Sequence, residues 1–337
     1  MTKNQRIEAF VNLGKLFTCP NEINEHFLNR VYHQNPWFTP ENTLFRLNQI
    51  SSWLTESSLS NWIEGYPAED SEKTVGLIIH ENIPLASFHD LLCCLILGFN
   101  VQIKISNKDA GLTRFIIEKL YEVAPEFQHK IKNVDFLKKT DLIIAAPNKT
   151  SIEHFKYYFG KKPHLLRRRK HSAAILNGKE NQEDLKKLGE NIFTYFGLSS
   201  SSVSKVYVPA DYDFKLFFEA VKDWAYLIDH FKYKNNYEYR KSVYLLNRDK
   251  HYDNGFLLVK PDFQIASPLA VLHYAQYKDI HTLFGELEKH KNLEYLFAYD
   301  KETLPLVNKS HFKSNPRPSL EDYGDDINTL EFLTNNR

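Results

Sequence analysis

The sequence predicts an α/β protein of two domains, with mainly parallel sheets and an active cleft between the domains. The first observation behind this prediction is a complete strand–helix–strand unit within residues 74–109. Segments typical of strands and helices then alternate up to residue 196, which favours a parallel sheet covered by helices on both faces. Beyond Ser204 a long helix is followed by β-rich stretches, and this change of pattern indicates a second domain.

The strand–helix–strand unit opens with an apolar β-branched run, 75–79, that predicts a buried strand. A loop ending at Pro84 leads into the apolar run 85–97, which is long enough for a buried helix, and Gly98 ends that helix. Residues 101–105 predict a second buried strand. Polar residues stand at both strand ends, where open α/β sheets bind their ligands, although the GxGxxG turn of common dinucleotide-binding proteins is absent.

The remaining elements follow from the same periodicities of apolar residues. Thr39, Pro40 and Glu41 are typical of an N-cap, a first-turn proline and an acidic first turn. The predicted helices are an opening helix around 7–14, one from residue 40 to about 54, and 87–97, 110–123, 150–159, 182–196, 213–229 and 280–289. The predicted strands are 75–79, 101–105, 141–146, 173–176, 243–247, 256–259, 270–274 and 294–298.

The domain boundary is placed at the serine tract, residues 199–202. We predict a Rossmann-like cofactor-binding domain over 1–197 and a catalytic α/β domain over 198–312. The polar tail, 313–337, is expected to pack back on the first domain.

Composition excludes several classes of protein. The chain has 337 residues, 42% of them hydrophobic, which is enough for a large core. Its net charge of +1 gives no general attraction to nucleic acid or anionic lipid. The N-terminus lacks a signal-peptide pattern, the most apolar segment is too short to span a bilayer, and three cysteines argue against a disulfide framework. We therefore expect a cytoplasmic protein with no membrane span.

The histidines, the aromatic residues and the two helix cysteines show no pattern typical of a binding or catalytic site. The histidines lack the spacing of metal ligands, so we predict no metal. The aromatic and basic stretch 230–239 is not accompanied by a nucleic-acid-binding motif, so we predict no nucleic-acid partner. Cys93 and Cys94 lie in a continuous apolar helix, where a thiol is normally an inert small hydrophobe.

Several tracts, taken in order, resemble one known family. The block NIPL (82–85) followed by GFNVQIKIS (98–106) resembles the Asn-x-Pro-Leu and Gly-Asn-x-Val-x-x-Lys-x-Ser motifs of the aldehyde dehydrogenase superfamily. Together with the tracts 158–172, 193–209, 230–247 and 253–262, the chain is similar to the bacterial fatty-acyl-CoA reductases of the LuxC type, which supply aldehyde in bioluminescence, and especially to their shorter relatives. The resemblance runs from about residue 5 to the C-terminus, and it implies an aldehyde-dehydrogenase-like fold.

This resemblance implies NADPH-dependent reduction of a fatty-acyl thioester to an aldehyde through an acyl-enzyme. Position 200 is where the family has its nucleophilic cysteine, and this chain has Ser200 there. Asn82 would donate to the oxyanion of the acyl group, because a fixed neutral amide suits that task. The alternative is that Asn82 only closes the turn before Pro84, as asparagine often does.

The cofactor is assigned to two sets of residues. Lys104 and, more weakly, Ser106 would hold the adenosine part of the cofactor, although a strand lysine can simply extend into solvent. Arg167 and Arg168 would hold phosphates of NADPH or coenzyme A, because guanidinium matches phosphate geometry. A solvated basic turn is the alternative for this pair. Hydrolytic members of the superfamily use a glutamate where this chain has Leu166 and Arg167, which favours a reductase.

Ser200 leaves more than one function open. A serine hydroxyl needs a general base, and no His–Asp pair is spaced to supply one, so His171 and His230 are candidates only in three dimensions. An oxygen ester is also a poorer hydride acceptor than a thioester. The alternative to the enzyme is a non-catalytic homologue that binds nucleotide or acyl-CoA, or a structural subunit of an aldehyde-forming complex. The acyl chain length, the choice between NADPH and NADH, and the oligomeric state, with a homo-oligomer among the options, do not follow from the residues.

Overall fold

A computed structural model of the chain describes residues 1–67, 69–79, 82–147, 152–167, 170–290, 292–298, 318–324 and 327–337. The chain divides into two units, one made of Met1–Arg168 with Arg317–Arg337 and the other of Arg169–Pro316. The predicted boundary near residue 198 falls inside the second unit. The reason is that the strand at 171–175 pairs on both sides with strands of the second unit, so the segment 170–197 belongs to that unit.

Four helices open the first unit, and each begins at a polar cap. The caps are Thr or Asn residues whose side chains accept a hydrogen bond from the amide of the third helical residue, which satisfies one of the unpaired N–H groups of the first turn. The predicted opening helix and the helix after Thr39 are confirmed, whereas the second and fourth helices were not predicted. The four are α1 (Lys3–Phe17), α2 (Glu25–Gln34), α3 (Pro40–Trp53) and α4 (Glu56–Trp62).

In the described residues the sheet of this unit has five parallel strands in the order β3-β2-β1-β4-β5. Its strands are β1 (Thr74–Ile78), β2 (Asn100–Lys104), β3 (Ile131–Asn133), β4 (Leu142–Ala145) and β5 (His164–Leu166). Its other helices are α5 (Phe88–Ile96), α6 (Leu112–Val123) and α7 (Ile152–Phe159). Ile78 is opposite Lys104 on one side and Ala145 on the other, so the carboxyl ends of three strands lie at one edge. The predicted strand–helix–strand unit is thus confirmed.

The second unit contains, as far as it is described, a six-stranded sheet in the order β11-β6-β7-β10-β9-β8. All neighbours are parallel except β8 and β9. Its strands are β6 (His171–Ile175), β7 (Val203–Pro209), β8 (Tyr252–Asp253), β9 (Leu258–Pro261), β10 (Val271–Tyr277) and β11 (Leu293–Ala298). Its helices are α8 (Gln182–Phe193), α9 (Lys215–Ala220), α10 (Phe231–Asn247) and α11 (Ile280–Leu287), with a 3-10 helix at Lys222–Asp229.

Two predicted elements of the second unit are wrong. The predicted strand 243–247 is the end of helix α10, in which Tyr233, Tyr237 and Tyr244 are buried at helical spacing. Leu246 lies on the other side of this helix and is 83% exposed, so the apolar run does not represent a buried strand. The predicted helix 213–229 is interrupted, because α9 ends at Ala220 and the chain goes on as a 3-10 helix.

The C-terminal residues belong to the first unit. Helix α12 (Thr329–Asn335) packs against α5, and its Leu330 and Leu333 are fully buried. Leu320, just before it, is also buried, and its carbonyl oxygen lies 2.8 Å from Nε2 of His89 in α5. The hydrophobic core of the first unit therefore includes side chains from both ends of the chain.

Candidate functional site

The loop that leads to Ser200 has an unusual backbone. Tyr195, Phe196 and Gly197 have φ values of 55°, 60° and 73°, which places three successive residues in the left-handed region. Two of them carry a Cβ atom, for which this region costs about 1–2 kcal/mol each. The Phe196 ring is held 4.5 Å from the ring of His230, which caps α10. Strain of this kind persists only where the surroundings fix it, and it is frequent at functional sites.

Ser200 is exposed at the tip of this loop. Its carbonyl oxygen accepts a 3.0 Å hydrogen bond from Oγ of the fully buried Ser172. The neighbouring Ser199 and Ser201 hydroxyls bond each other at 2.8 Å. Within the described ranges nothing hydrogen-bonds the hydroxyl of Ser200, so no general base activates it there.

A cavity of about 80 Å³ adjoins the same loop. This is several times the volume that one water molecule requires. Part of its wall is polar, with hydroxyls from Ser199, Ser202 and Ser267 and the half-buried ring of His171. The rest of its lining comes from Ile192, Phe193, Phe196, Gly197, Leu198, Val203, Ser204, Tyr233, Leu257, Pro268, Leu269, Ala270 and Val271. The loop 198–202, called the position-200 loop below, therefore borders a partly open cavity in its own unit.

Asn82 follows β1 at the carboxyl edge of the first sheet and is exposed. The loop that carries it is anchored at Leu85, which has a φ of 53° and whose carbonyl oxygen accepts from Nη2 of Arg46 at 3.2 Å. Arg46 is only 5% exposed, and its guanidinium lies 5.0 Å from the ring of Trp53. A buried arginine from α3 thus fixes the loop of the predicted oxyanion donor.

Lys104 and Ser106 lie at the same edge as Asn82. Lys104 ends β2, is exposed, and makes no ion pair within the described part of the chain. Its ammonium lies 5.2 Å from the ring of Phe136, which is 73% exposed. The hydroxyl of Ser106 accepts a 3.2 Å hydrogen bond from the amide of Lys108 and so caps a short 3-10 helix. An accessible cation and an exposed ring are suited to the phosphate, ribose and base of a dinucleotide.

Arg167 is occupied by the protein itself. Its guanidinium forms a 2.7 Å ion pair with Asp90 in the first turn of α5, and both side chains are largely buried. Arg167 also donates to Thr329 Oγ1 at 2.5 Å and to the carbonyl oxygens of Ile327 and Gly324. Burial alone would raise the pKa of Asp90, but the Arg167 charge and its hydrogen bonds hold that pKa below the usual range. This geometry gives Arg167 a structural role, and its phosphate-binding role stays a prediction; Arg168 lies outside the described residues.

The two helix cysteines are buried. Cys93 and Cys94 are both fully inaccessible in α5. Burial, followed by the nearby Asp90 carboxylate, raises the pKa of both thiols well above its ordinary value. Both therefore stay protonated, and neither is placed to attack a substrate.

The structure brings Asn82, Lys104 and Ser106 to one edge of one unit and puts Ser200 on a strained loop of the other. Sequence reasoning missed Arg46, Phe136 and Ser172, which are ordinary residue types in segments without a motif. In the described ranges no group of three or more His, Cys, Asp or Glu side chains could hold a metal ion. No helix there is both long and apolar enough to cross a membrane.

Comparison with known proteins gives the fold. No family model matches the chain, and no curated protein matches its sequence. It is similar to the structure of an indole-3-acetaldehyde dehydrogenase complexed with NAD+, with a TM-score of 0.70 at 11% identity, over 95% of this chain and 78% of that one. It is also similar to γ-glutamyl-γ-aminobutyraldehyde dehydrogenase from Burkholderia cenocepacia (TM-score 0.68, 11% identity, 98% of this chain and 83% of that one). A third is the aldehyde dehydrogenase KauB from Pseudomonas aeruginosa (TM-score 0.65, 12% identity, 95% and 78%). The aldehyde-dehydrogenase-like α/β fold predicted from the sequence is confirmed.

Proposed function

We propose that this chain is an acyl-CoA reductase-type oxidoreductase, which reduces a fatty-acyl thioester to an aldehyde with NADPH through an acyl-enzyme at residue 200. The observation that carries the proposal is the exposed position of residue 200 on a strained loop of an aldehyde-dehydrogenase-like fold. Solved structures that share this fold are named as aldehyde dehydrogenases, and one of them is complexed with NAD+. The shared fold supports an oxidoreductase that acts on aldehydes. The narrower assignment, an acyl-CoA reductase that uses NADPH, comes from the resemblance of the sequence to the LuxC-type family.

Residue 200 would attack the thioester carbonyl and form an acyl-enzyme. The carbon–sulfur bond to coenzyme A breaks, and the departing thiolate takes up a proton. NADPH, when bound, supplies the hydride that reduces the acyl carbonyl carbon. The aldehyde then leaves as its bond to residue 200 breaks and that side chain regains a proton. Asn82 would donate its amide N–H to the carbonyl oxygen wherever negative charge develops on it.

The residues of the first unit fit a dinucleotide at the carboxyl edge of the sheet. Lys104 offers an accessible ammonium, and the hydroxyl of Ser106 can donate while it accepts from Lys108. Parallel sheets bind ligands at this edge because the strand ends and helix starts converge there. Reduction is favoured over hydrolysis, since Leu166 stands where a deacylating carboxylate would be needed.

One observation favours a second function, a non-catalytic protein that binds nucleotide or acyl-CoA. No described residue hydrogen-bonds the Ser200 hydroxyl, and an unassisted serine is a weak nucleophile. The loop would then keep the family's fold and ligand contacts without its chemistry. A structural subunit of an aldehyde-forming complex would behave in the same way in an activity assay but would not bind the ligands.

The experiment compares the natural chain with Ser200→Cys and with Ser201→Cys as a matched control one residue away. Each is mixed with NADPH and dodecanoyl-CoA, and NADPH absorbance and aldehyde are followed. We expect the Ser200→Cys rate to exceed both others by about 100-fold or more, because a thiolate is a far better nucleophile than a hydroxyl. Activity in the cysteine form alone, with ligand binding by the natural chain, supports the second function for that chain. No activity in any folded form would contradict the proposed chemistry.

A further inference from the structure

Two loops of the second unit line the cavity next to the serine tract. One is the position-200 loop, 198–202, which contributes Ser199 and Ser202 to the wall. The other is the β9–β10 loop, 262–270, which contributes Ser267 and Ala270. Both loops thus line one cavity, and in the position-200 loop the lining residues stand on either side of Ser200.

Side chains of β7 and β10 hold the β9–β10 loop through hydrogen bonds to three successive backbone carbonyl groups of that loop. The pairs are Lys205 Nζ with Phe263 O at 2.8 Å, His273 Nδ1 with Gln264 O at 3.0 Å, and Ser204 Oγ with Ile265 O at 2.8 Å. Lys205 and His273 are also direct partners in the β7–β10 register, so their side chains lie on the same face of the sheet.

The position-200 loop is held by Ser172, a residue of β6 that also contacts Ser204 of the neighbouring strand β7. Ser172 Oγ donates to the carbonyl oxygen of Ser200 at 3.0 Å. Ser204 Oγ lies 3.3 Å from the carbonyl oxygen of Ser172, beyond its closer bond to Ile265. We call Ser172, Ser204, Lys205 and His273 the loop clamp. It ties both loops to the central strands of the sheet.

Burial explains why these bonds fix the loops. Ser172, Lys205 and His273 are 0%, 2% and 4% exposed, and a buried polar group without its partner is costly. Burial lowers the pKa of Lys205 to about 8, and Asp262 opposes that shift. The ammonium therefore remains mostly charged at neutral pH, where a charge-assisted bond to Phe263 O is strong. Burial also lowers the pKa of His273, which favours the neutral ring. Its Nδ1–H then donates a hydrogen bond to the carbonyl oxygen of Gln264.

We propose that the loop clamp positions the nucleophile at residue 200 by holding the loop that carries it and the β9–β10 loop that lines the same cavity. These are positioning residues, since they act through the backbone of Ser200 and of the β9–β10 loop rather than on the substrate. The effect on catalysis rests on the proposed function. The claim that these residues fix the two loops rests only on the hydrogen bonds.

The first test needs no enzymatic activity. The background is a chain with Cys19→Ser and Ser200→Cys. Into it we introduce, one at a time, Lys205→Met, Lys205→Arg and Ser172→Ala. Two rates are measured for each variant, the alkylation of the thiol at position 200 and the amide hydrogen exchange of 262–271. Lys187→Met, an exposed lysine on α8, is the control. We expect Lys205→Met and Ser172→Ala to change both rates by about five-fold or more, Lys205→Arg by less because it restores the donor, and the control not at all. Unchanged rates in folded Lys205→Met and Ser172→Ala would overturn the clamp.

The second test separates positioning from folding. In the Ser200→Cys chain, well below each melting temperature, Ser172→Ala should lower kcat about ten-fold and leave KM for dodecanoyl-CoA within about two-fold. A lower melting temperature with unchanged kcat would show a merely structural role and overturn the positioning claim. An inactive Ser200→Cys chain would count against the proposed function, and the exchange and alkylation rates would still decide whether the clamp exists.

Discussion

Lys104 and Lys205 show how burial separates two uses of one residue type. Lys104 ends a strand with its ammonium in solvent, whereas Lys205 is 2% exposed and bonded to a backbone carbonyl. The first can exchange water for a ligand at little cost, and the second cannot. Lys104 is therefore the residue whose loss should affect binding and leave the fold unchanged.

The substitution Lys104→Met should weaken NADPH binding by about ten-fold, because it removes one charge-assisted hydrogen bond. The melting temperature should stay close to that of the natural chain, since the side chain is exposed and makes no ion pair with a described residue. Lys108→Met is the control, as it removes an exposed lysine four residues later. NADPH fluorescence titration of the three proteins measures the effect, and equal dissociation constants would rule Lys104 out of the cofactor site.

Sequence reasoning could reach Asn82 and Lys104 because both lie in a motif block at strand ends, and the structure places them there. It could not reach Ser172 or Lys205. Lysine is rarely buried, and a serine in a strand carries no signal of the carbonyl it will meet. The acceptor of Ser172 lies 28 residues away along the chain, and that of Lys205 lies 58 residues away.

At the scale of single elements, the left-handed run before the serine tract determines how residue 200 is presented. Gly197 is its last member, and a Cβ atom there would lie 3.0 Å from the carbonyl oxygen of Ile192. Glycine is required at this position for two reasons, its φ of 73° and this close approach. Tyr195 and Phe196 tolerate the same region because their buried rings fix them.

The substitution Gly197→Ala should lower the free energy of unfolding by about 1–3 kcal/mol, from the left-handed backbone and the short contact together. Gly285→Ala is the matched control. That glycine lies in α11 with nothing within 4 Å of an added Cβ, so alanine there should be neutral or slightly stabilising. Urea unfolding of both variants provides the comparison, and equal stabilities would mean that the loop relaxes freely at residue 197.

Elements with a strong pattern were predicted well, and those without one were not. The apolar strands and the opening helix follow from periodicity, and α3 follows from its Thr39 cap and first-turn proline. The helices α2 and α4 have Asn and Thr caps as well but were missed. The segment 243–247 was assigned to a strand from its apolar content, while its burial follows the helical spacing of three tyrosines. The short strands β3 and β5 have three residues each, too few to show a period.

At the scale of the whole chain, the C-terminal segment completes the first unit. Arg167 and Asp90 join the end of β5 and the start of α5 to Thr329 at the start of α12. Trp62 adds a 2.7 Å hydrogen bond to the hydroxyl of Tyr323. The sequence does not show that Arg167 pairs with Asp90, because that aspartate lies 77 positions away along the chain.

The substitution Arg167→Met should destabilise the first unit by about 3–5 kcal/mol, because it leaves the Asp90 carboxylate buried without its partner. In the natural chain the pKa of Asp90 is lowered, so its stabilisation is present above the unfolded value near 4 and is lost as pH falls through the folded value. In the variant burial should raise that pKa, so the stability difference should shrink on acidification from neutral pH. Asp90→Asn with Arg167→Met is the control in which the buried charge is gone.

Thermal unfolding between neutral and mildly acid pH measures this difference. A stability difference between the two proteins that does not change with pH would show that the pKa of Asp90 does not depend on Arg167. NADPH titration of folded Arg167→Met adds a second result, since unchanged affinity supports the structural role and a large loss would restore Arg167 to the cofactor site.

The domain division could not be placed from the sequence alone. The serine tract marks a change of composition, but the sheet of the second unit takes in β6, which precedes that tract by about 30 positions. The pairing of β6 with β7 leaves no trace in either segment, because nothing in HSAAI or VSKVYVP identifies the partner strand. The tail, by contrast, was expected on the first domain, and its described residues lie in that unit.

The most direct test of the proposed function asks whether Asn82 serves the chemistry at residue 200. In the Ser200→Cys chain, Asn82→Ala should slow the release of coenzyme A from dodecanoyl-CoA by about 100- to 1000-fold, the cost of losing one oxyanion donor. Asn82 is exposed, so the variant should fold as stably as its parent. Release of coenzyme A at the parent's rate from the Asn82→Ala variant would contradict the account, because the two residues would then share no reacting group.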